Sequence, residues 1–317
     1  MSANVESMFY TSNEENGRFV PWHGLGTPVQ EALTSEEAIK IAGLDWEVVK
    51  KPIYNENGIE IPKYFRTARS SDNSTLGIVS GRYKIVQNQE AFSFTDELIS
   101  GDVRYETAGS LNDGRQVWLL AKLPERYILD DKFDTYICFT NTHDGTGAVQ
   151  VCMTPVRVVC NNTLNLALSG ASRKWSTRHI GNLEQKMEEA RTALQMAEAY
   201  MDALKGEAQI LSDIKVSEAE AEVMFDSIFP VDQNKDTARK IRNVEYLKSA
   251  FFNCMKAPDI AQYSGTAWGV INAMTDFADH TPPIRYTDSY QENNWGKIMI
   301  GHPAVDAMYS LLTAKVA

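Results

Sequence analysis

The pattern of apolar and polar positions changes character near residue 180. Between about residues 44 and 180, short apolar runs alternate with turn sequences, which is typical of β-strands. Beyond residue 180, apolar residues recur every three or four positions, which is typical of helices. The connections in the first part are too short for repeated parallel crossovers, except around a helix that starts at Asn88. We therefore predict an α+β protein, with a mainly antiparallel domain over residues 1–180 and a helical region over residues 181–317 packed on it.

Turn sequences place the hairpins. Asn112-Asp113-Gly114 is a strongly favoured hairpin turn, and His143-Asp144-Gly145 joins two further predicted strands at 135–141 and 148–159. Pro155 interrupts the second of these strands, which indicates an edge strand or a bulge. After it, an asparagine cap predicts a short helix over residues 163–168.

A heptad pattern is the strongest periodic signal in the helical half. It predicts a helix of about 25 residues, and its apolar seam consists of Leu183, Met187, Ala190, Leu194, Ala197, Met201 and Leu204. This seam either packs within its own chain or supports self-association. Further helices are predicted at residues 219–229, 235–255, 266–279 and 303–312.

Composition narrows the classes of protein. The chain has 317 residues and a net charge of −11, so it has no general basic surface. It has no apolar run of membrane-spanning length and no signal-peptide pattern, so we expect a cytoplasmic protein. Its four cysteines form no C-x-x-C pair and its five histidines are scattered, so we expect neither a metal site nor a cofactor.

The largest local departure from this acidic average lies between Asp144 and Glu184, where no acidic residue occurs. This stretch contains five candidate nucleic-acid-binding residues, namely Arg157, Arg173, Lys174, Trp175 and Arg178. Basic groups neutralise phosphates, and a flat indole stacks on an unpaired base. The alternative is a solvated linker in which Trp175 covers the edge of the core.

The early strands supply a second group of basic candidates, namely Arg66, Arg69, Arg82 and Lys84. If their hairpins lie side by side, these residues form a basic strip with Tyr64 and Tyr83, along which a single strand could bind. Ordinary solvated strand faces have the same composition, so this alternative stays open.

His143-Asp144 is a candidate for acid–base chemistry. The pair could also bind a metal, but turn geometry alone explains an Asp followed by Gly. The sequence has no G-x-S-x-G and no Walker-type phosphate loop, so we do not expect an enzyme.

Five segments together match a family pattern: Trp22-His23-Gly24-Leu25-Gly26-Thr27, Tyr83-Lys84-Ile85-Val86-Gln87-Asn88, Gly114-Arg115-Gln116-Val117-Trp118, Thr154-Pro155-Val156-Arg157-Val158-Val159-Cys160-Asn161-Asn162-Thr163-Leu164 and Gly265-Thr266-Ala267-Trp268. From about Trp22 to His280, the chain resembles the phage/plasmid-like proteins catalogued as domain of unknown function 932. Members occur in phages, prophages and plasmids, and the resemblance implies no catalytic residues.

A remote similarity to phage single-strand annealing proteins implies more. Those proteins have a strand-rich core with helices, form rings, and bind DNA in a basic groove without metal or nucleotide. We therefore expect a non-enzymatic, oligomeric protein that binds single-stranded DNA in recombination or replication of a phage or mobile element. The alternatives are a phage module that sequesters a host or defence protein through the acidic helical half, and an enzyme with a site near His143-Asp144.

Overall fold

The computed structural model describes residues 8–11, 27–29, 34–91, 104–157, 162–166, 168, 172–181, 183–286 and 301–315. Within these ranges, only the backbone is described for residues 8–11, 27–29, 104, 157, 162–163 and 183–195. The chain divides into two compact units. The first comprises Met1–Pro124, Thr135–Met153 and Ser172–Glu198, and the second comprises Glu125–Asp134, Thr154–Ala171 and Ala199–Ala317. Segments from before and after residue 180 contribute to both units.

The strands form two sheets. In chain order the strands are β1 (Met8–Thr11), β2 (Thr27–Val29), β3 (Val48–Tyr54), β4 (Glu60–Arg69), β5 (Thr75–Ser80), β6 (Arg104–Leu111), β7 (Gln116–Ile128), β8 (Asp131–Thr142), β9 (Val149–Arg157), β10 (Asn162–Thr163) and β11 (Lys174–Thr177). The large sheet has the order β10-β9-β8-β7-β6-β1-β2, with β11 also paired to β9. The small sheet has the order β3-β4-β5, and both of its pairs are antiparallel.

Helices dominate the later part of the chain, as predicted. They are α1 (Ser35–Ile41), α2 (Leu183–Asp213), α3 (Glu218–Ile228), α4 (Ala238–Cys254), α5 (Ala267–His280) and α6 (Pro303–Thr313), with a 3₁₀ helix at Pro258–Tyr263. Capping boxes start α1 at Thr34 and α3 at Ser217, where each side-chain oxygen accepts an otherwise unpaired amide of the first turn. These sheets and helices confirm the α+β class. No described helix is both long enough and apolar enough to cross a membrane.

Residues 163–168 contain the clearest error of the sequence prediction. A helix was expected there, but Asn162 and Thr163 form β10 and pair with Arg157 and Val156 of β9. The amide of Leu164 then donates to the Pro155 carbonyl at 2.9 Å. The unpaired edge of β9 offered backbone partners that a local capping argument does not consider.

Pro155 does not mark an edge strand, because β9 has neighbours on both sides. β11 pairs with β9 as far as Cys152, and β10 pairs with β9 from Val156 onward. Pro155 lies between these two paired stretches. The absence of an N–H group on Pro155 therefore removes no hydrogen bond to β10 or β11.

The heptad helix α2 spans 31 residues, longer than the predicted 25. Three positions of its seam, Ala197, Met201 and Leu204, are buried within the single chain. Tyr200, next to that seam, is also fully buried and its hydroxyl bridges one residue of the second unit. It accepts from the Leu166 amide at 2.9 Å and donates to the Leu166 carbonyl at 2.8 Å. Self-association through the rest of the seam stays a prediction.

Replacing Tyr200 with Phe tests this bridge. Because a buried amide and carbonyl would lose their partner, we expect Tyr200→Phe to lower the free energy of unfolding by about 1–3 kcal/mol. Urea denaturation followed by circular dichroism measures this change. The control is Tyr246→Phe on the exposed side of α4, which should change the free energy by less than about 0.5 kcal/mol. Equal effects of the two substitutions would contradict the assignment.

Candidate nucleic-acid interface

The turn between β8 and β9 packs against the small sheet. The hydroxyl of Thr67 on β4 donates to the His143 carbonyl at 2.7 Å. Gly77 on β5 lies so close to this turn that a Cβ atom there would stand 2.4 Å from the Asp144 Cα. Since real Cβ atoms do not approach that closely, any larger residue at position 77 would separate the small sheet from the turn.

The imidazole of His143 is fully buried beneath this contact. Its Nε2 lies 3.0 Å from Asn88 Oδ1, and its ring meets Trp46 edge-on with centroids 5.4 Å apart. Burial, together with the nearby His179, lowers the pKa of His143 to about 3 from its ordinary value of 6.5. The ring is therefore neutral at physiological pH.

Asp144 has a local structural role. Its Oδ1 accepts from the amide of Thr146 at 2.9 Å and from the hydroxyl of Thr146 at 2.8 Å. Gly145 follows with a φ of +80°, which a glycine adopts without strain. Together with the burial of His143, these contacts account for the His-Asp pair as architecture of the turn.

The buried His143 makes stability depend on pH. The unfolded chain binds a proton at about pH 6.5, but the folded chain binds it only near pH 3, so acidification between these values favours unfolding. We expect His143 to contribute a loss of up to about 1.4 kcal/mol per pH unit below pH 6.5. Urea denaturation between pH 7 and pH 4.5 should give a shallower slope for His143→Gln than for the wild type. The exposed His280, changed to Gln, is the control, and identical slopes for His143→Gln and wild type would contradict this assignment.

The outer face of the small sheet is basic and partly aromatic. Lys51 on β3 pairs with Arg66 on β4, which pairs with Ile78 on β5, so these three side chains form a row across the sheet. Tyr64 lies two residues from Arg66 on the same face of β4. The side chains of Tyr64 and Ile78 are 52% and 62% exposed, so this face presents apolar surface beside its cations.

Two cations of this face share a single neutral acceptor. Lys51 Nζ donates to Asn73 Oδ1 at 2.6 Å, and Arg66 Nη2 donates to the same oxygen at 3.0 Å. Their nitrogens are therefore no more than 5.6 Å apart, the sum of these distances. Two unit charges at that separation repel by about 0.7 kcal/mol in water and about 3 kcal/mol at the effective dielectric of a protein surface. In the part of the chain that the structure describes, neither residue forms an ion pair.

A second basic group lies where the chain leaves β5. Lys84 donates its amide to the His179 carbonyl at 2.6 Å, and its own carbonyl lies 2.9 Å from His179 Nδ1. The preceding Tyr83 stacks on the His179 ring with centroids 4.6 Å apart. These contacts bring the exposed Arg82 and Lys84 next to the segment that contains Arg178. Arg178 of the first predicted group therefore lies close in the chain to a contact of Lys84, which belongs to the second predicted group.

Lys50 belongs to the same basic group. Its Nζ donates to the Tyr83 carbonyl at 2.5 Å and to the Gly81 carbonyl at 3.2 Å. Burial and the neighbouring Lys84 lower the pKa of Lys50 below its usual range. Both of these acceptors are uncharged, so the positive charge of Lys50 adds to that of Lys84.

Arg69 has a structural position. The residue is only 7% exposed, with the guanidinium 5.2 Å from the centre of the Trp46 ring. Nη2 donates to the Asp113 carbonyl at 2.8 Å, and Nε lies 3.5 Å from an oxygen of Asp72. A guanidinium held in this way is not available to a phosphate, so we leave Arg69 out of the interface.

The predicted basic arm is a strand, and its side chains face opposite ways. Trp175 pairs with Val151 and packs against the core of the first unit, as the linker alternative anticipated. Lys174 pairs with Cys152, one position along, and so lies on the other face of β11. Arg173 approaches the Met153 carbonyl with Nη1 at 3.5 Å. The side chain of Arg157 lies outside the described part of the structure, which fixes only its pairing with Asn162.

Sequence reasoning missed Lys50, Lys51 and Asn73. One sequence signal could have found the region: residues 48–84 contain seven basic and three acidic side chains, a net charge of +4 in a chain of −11. The convergence of Lys51 and Arg66 on Asn73 depends on the register of β3 and β4, which a sequence does not supply.

Comparison with known proteins places the chain in a family. The family model described as "Domain of unknown function (DUF932)" matches residues 75–296. No curated protein and no solved structure matches the chain.

Proposed function

Because the chain belongs to the DUF932 family, for which no function is assigned, we propose its function from its geometry: it binds single-stranded DNA without catalysing a covalent reaction. Its role would be of the annealing type, in recombination or replication of a phage or mobile element, in the cytoplasm of a bacterial host. The binding surface would be the outer face of the small sheet and the adjoining basic group of Lys50, Arg82, Lys84 and Arg178.

One observation carries this proposal. Lys51 and Arg66 are held within 5.6 Å of each other on a neutral amide oxygen, beside the exposed ring of Tyr64. Because both cations are held by an uncharged oxygen, their positive charge is left for an external anion. A phosphodiester would relieve the repulsion between the two cations, and Arg66 presents a planar fork that matches phosphate oxygens.

Tyr64 favours single strands over duplex. A base can stack on an exposed ring only if it is not already stacked and paired in a double helix, and each such stack contributes about 1–3 kcal/mol. Backbone contacts alone would not distinguish the two forms so clearly, because both carry phosphates. The combination of cations and an exposed ring on one sheet face is therefore the reason for proposing a single strand.

A salt titration with labelled oligonucleotide tests the proposal. We expect a fluorescein-labelled single strand to bind the wild type with an affinity that falls steeply between 50 and 200 mM salt, as counterion release requires (about 0.7 in log–log slope per neutralised phosphate). Arg66→Gln should lower the affinity and reduce that slope by about 0.7, the contribution of one neutralised phosphate. Tyr64→Ala should weaken binding about 5- to 150-fold, the equivalent of one lost stack.

A matched control removes a charge elsewhere. Lys235, a residue of the second unit that pairs with Asp232 at 3.3 Å, is largely exposed, so Lys235→Gln should leave affinity and salt slope unchanged. Absence of binding by the folded wild type at 50 mM salt would refute the proposal. Equal losses in Lys235→Gln and Arg66→Gln would show binding that does not use the small sheet.

The tip of the β3–β4 hairpin favours a second candidate function, a protein-binding module. Tyr54 and Ile59 are 57% and 63% exposed there, and Ile61 is partly exposed beside them. Clustered apolar surface of this kind marks interaction sites for other proteins. If this module is the function, Ile59→Ser would abolish capture of a host protein by the folded chain, and the oligonucleotide titration would show no binding.

A further inference from the structure

We infer that the cluster of Lys51, Arg66, Asn73 and Thr75 binds a phosphate monoester, as found at the end of a DNA strand. This inference rests on the proposed function and makes it more specific. An internal phosphodiester carries one negative charge, whereas a terminal phosphate carries about −1.5 to −2 at pH 7. Two cations that converge on one point therefore match a terminal phosphate better than an internal phosphodiester.

The cluster is organised before any ligand arrives. Arg66 Nη1 donates to the Asn73 carbonyl and to the Thr75 hydroxyl, each at 3.1 Å, while Nη2 donates to Asn73 Oδ1. The guanidinium is thus fixed at three points around the β4–β5 turn. A side chain that is already ordered loses little rotamer entropy on binding, which favours affinity.

The backbone of the turn holds Asn73 in place. Its amide donates to the Arg69 carbonyl at 2.9 Å, and the Arg69 amide donates to the Ser74 carbonyl at 3.1 Å. Asn73 has a φ of +60°, a left-handed conformation that asparagine tolerates better than most residues. The turn therefore directs the amide oxygen of Asn73 to both cations in the absence of a ligand.

The nearest carboxylate in the turn is already engaged. Asp72 Oδ1 accepts from the Ser74 amide at 2.9 Å and lies 3.5 Å from Arg69 Nε. Neither Lys51 nor Arg66 forms an ion pair with it. A phosphate that displaces the neutral oxygen of Asn73 would meet Lys51 Nζ and Arg66 Nη2, with the Thr75 hydroxyl close to Arg66 Nη1.

Tyr64 supplies the second half of such a site. It lies two positions before Arg66 on the same face, a distance of about 7 Å along β4. That is the scale of one nucleotide. The terminal phosphate would bind at Lys51 and Arg66, and the first base would stack on Tyr64.

Three single strands of one sequence test this inference. One carries a 5′-phosphate, one a 3′-phosphate and one only terminal hydroxyls, each with an internal fluorophore, at 150 mM salt. We expect one of the two phosphorylated strands to bind the wild type about 5- to 20-fold tighter than the hydroxyl strand, and which of the two binds tighter identifies the strand polarity. In Lys51→Gln this preference should fall to within twofold.

Lys84→Gln is the matched control, since Lys84 belongs to the other basic group. It should weaken all three strands by a similar factor and leave the preference intact. If the wild type binds the three strands equally, the terminal-phosphate site is refuted and the proposed single-strand function stands. If none of the three strands binds at low salt, both the terminal-phosphate site and the proposed single-strand function are refuted.

Circular dichroism confirms that each variant is folded. If Lys51→Gln proves unstable, Arg66→Lys is the second variant. It keeps the positive charge but loses the planar guanidinium, so it should retain part of the preference.

Discussion

The first unit depends on the packing of one turn. The small sheet packs against one side of the segment His143–Gly145, through the Thr67 hydroxyl and the close approach of Gly77. From the other side, His143 meets Asn88 and Trp46. A neutral, fully buried imidazole is compatible with this arrangement, but a charged one is not, because burial without a carboxylate would cost several kcal/mol. The small sheet therefore packs against a turn whose buried imidazole is uncharged.

This packing explains why the outer face of the small sheet can be basic. Its inner face meets the turn through Thr67 and Gly77. Arg69, at the end of β4, is held instead by the Asp113 carbonyl, an oxygen of Asp72 and the ring of Trp46. Lys50, Lys51 and Arg66 donate to backbone carbonyls, to Asn73 Oδ1 and to the Thr75 hydroxyl, all of which are uncharged acceptors. Neutral acceptors hold cations in position without cancelling their charge. The result is an ordered positive surface in an acidic chain, which is the physical requirement for binding a polyanion through a restricted area.

Local signals predicted local structure well. Asn112, Asp113 and Gly114 all have positive φ, as the hairpin turn requires. The helix predicted over residues 219–229 is present as α3, and it begins where the Ser217 side chain accepts an amide three residues away. The prediction was wrong at residues 163–168, where the partner that decides the conformation, β9, is supplied by tertiary structure. Backbone pairing with the edge of a neighbouring strand outweighs a local signal for a helix cap.

The candidate site was harder to predict for the same reason. In the sequence, Arg66 and Arg69 look alike as basic residues of one strand. Because side chains alternate along a strand, Arg66 lies on the outer face and Arg69 is buried. Trp175 carried the expectation of base stacking, whereas its pairing with Val151 directs it to the core. Lys51 belongs to the candidate site only because the register of β3 and β4 places it opposite Arg66. Which basic residues form a surface is decided by pairings that lie far apart in sequence.

The most direct test of this account is to locate the nucleic acid on the protein. A single-stranded oligonucleotide that carries 5-iodouracil can be crosslinked by light, digested and mapped by mass spectrometry. The main adduct should lie on Tyr64, within the β4 peptide. It should disappear in Tyr64→Leu, whereas Tyr246→Leu should keep the full crosslinking yield. Adducts confined to the helices α3 to α6, or to Trp175, would contradict this account.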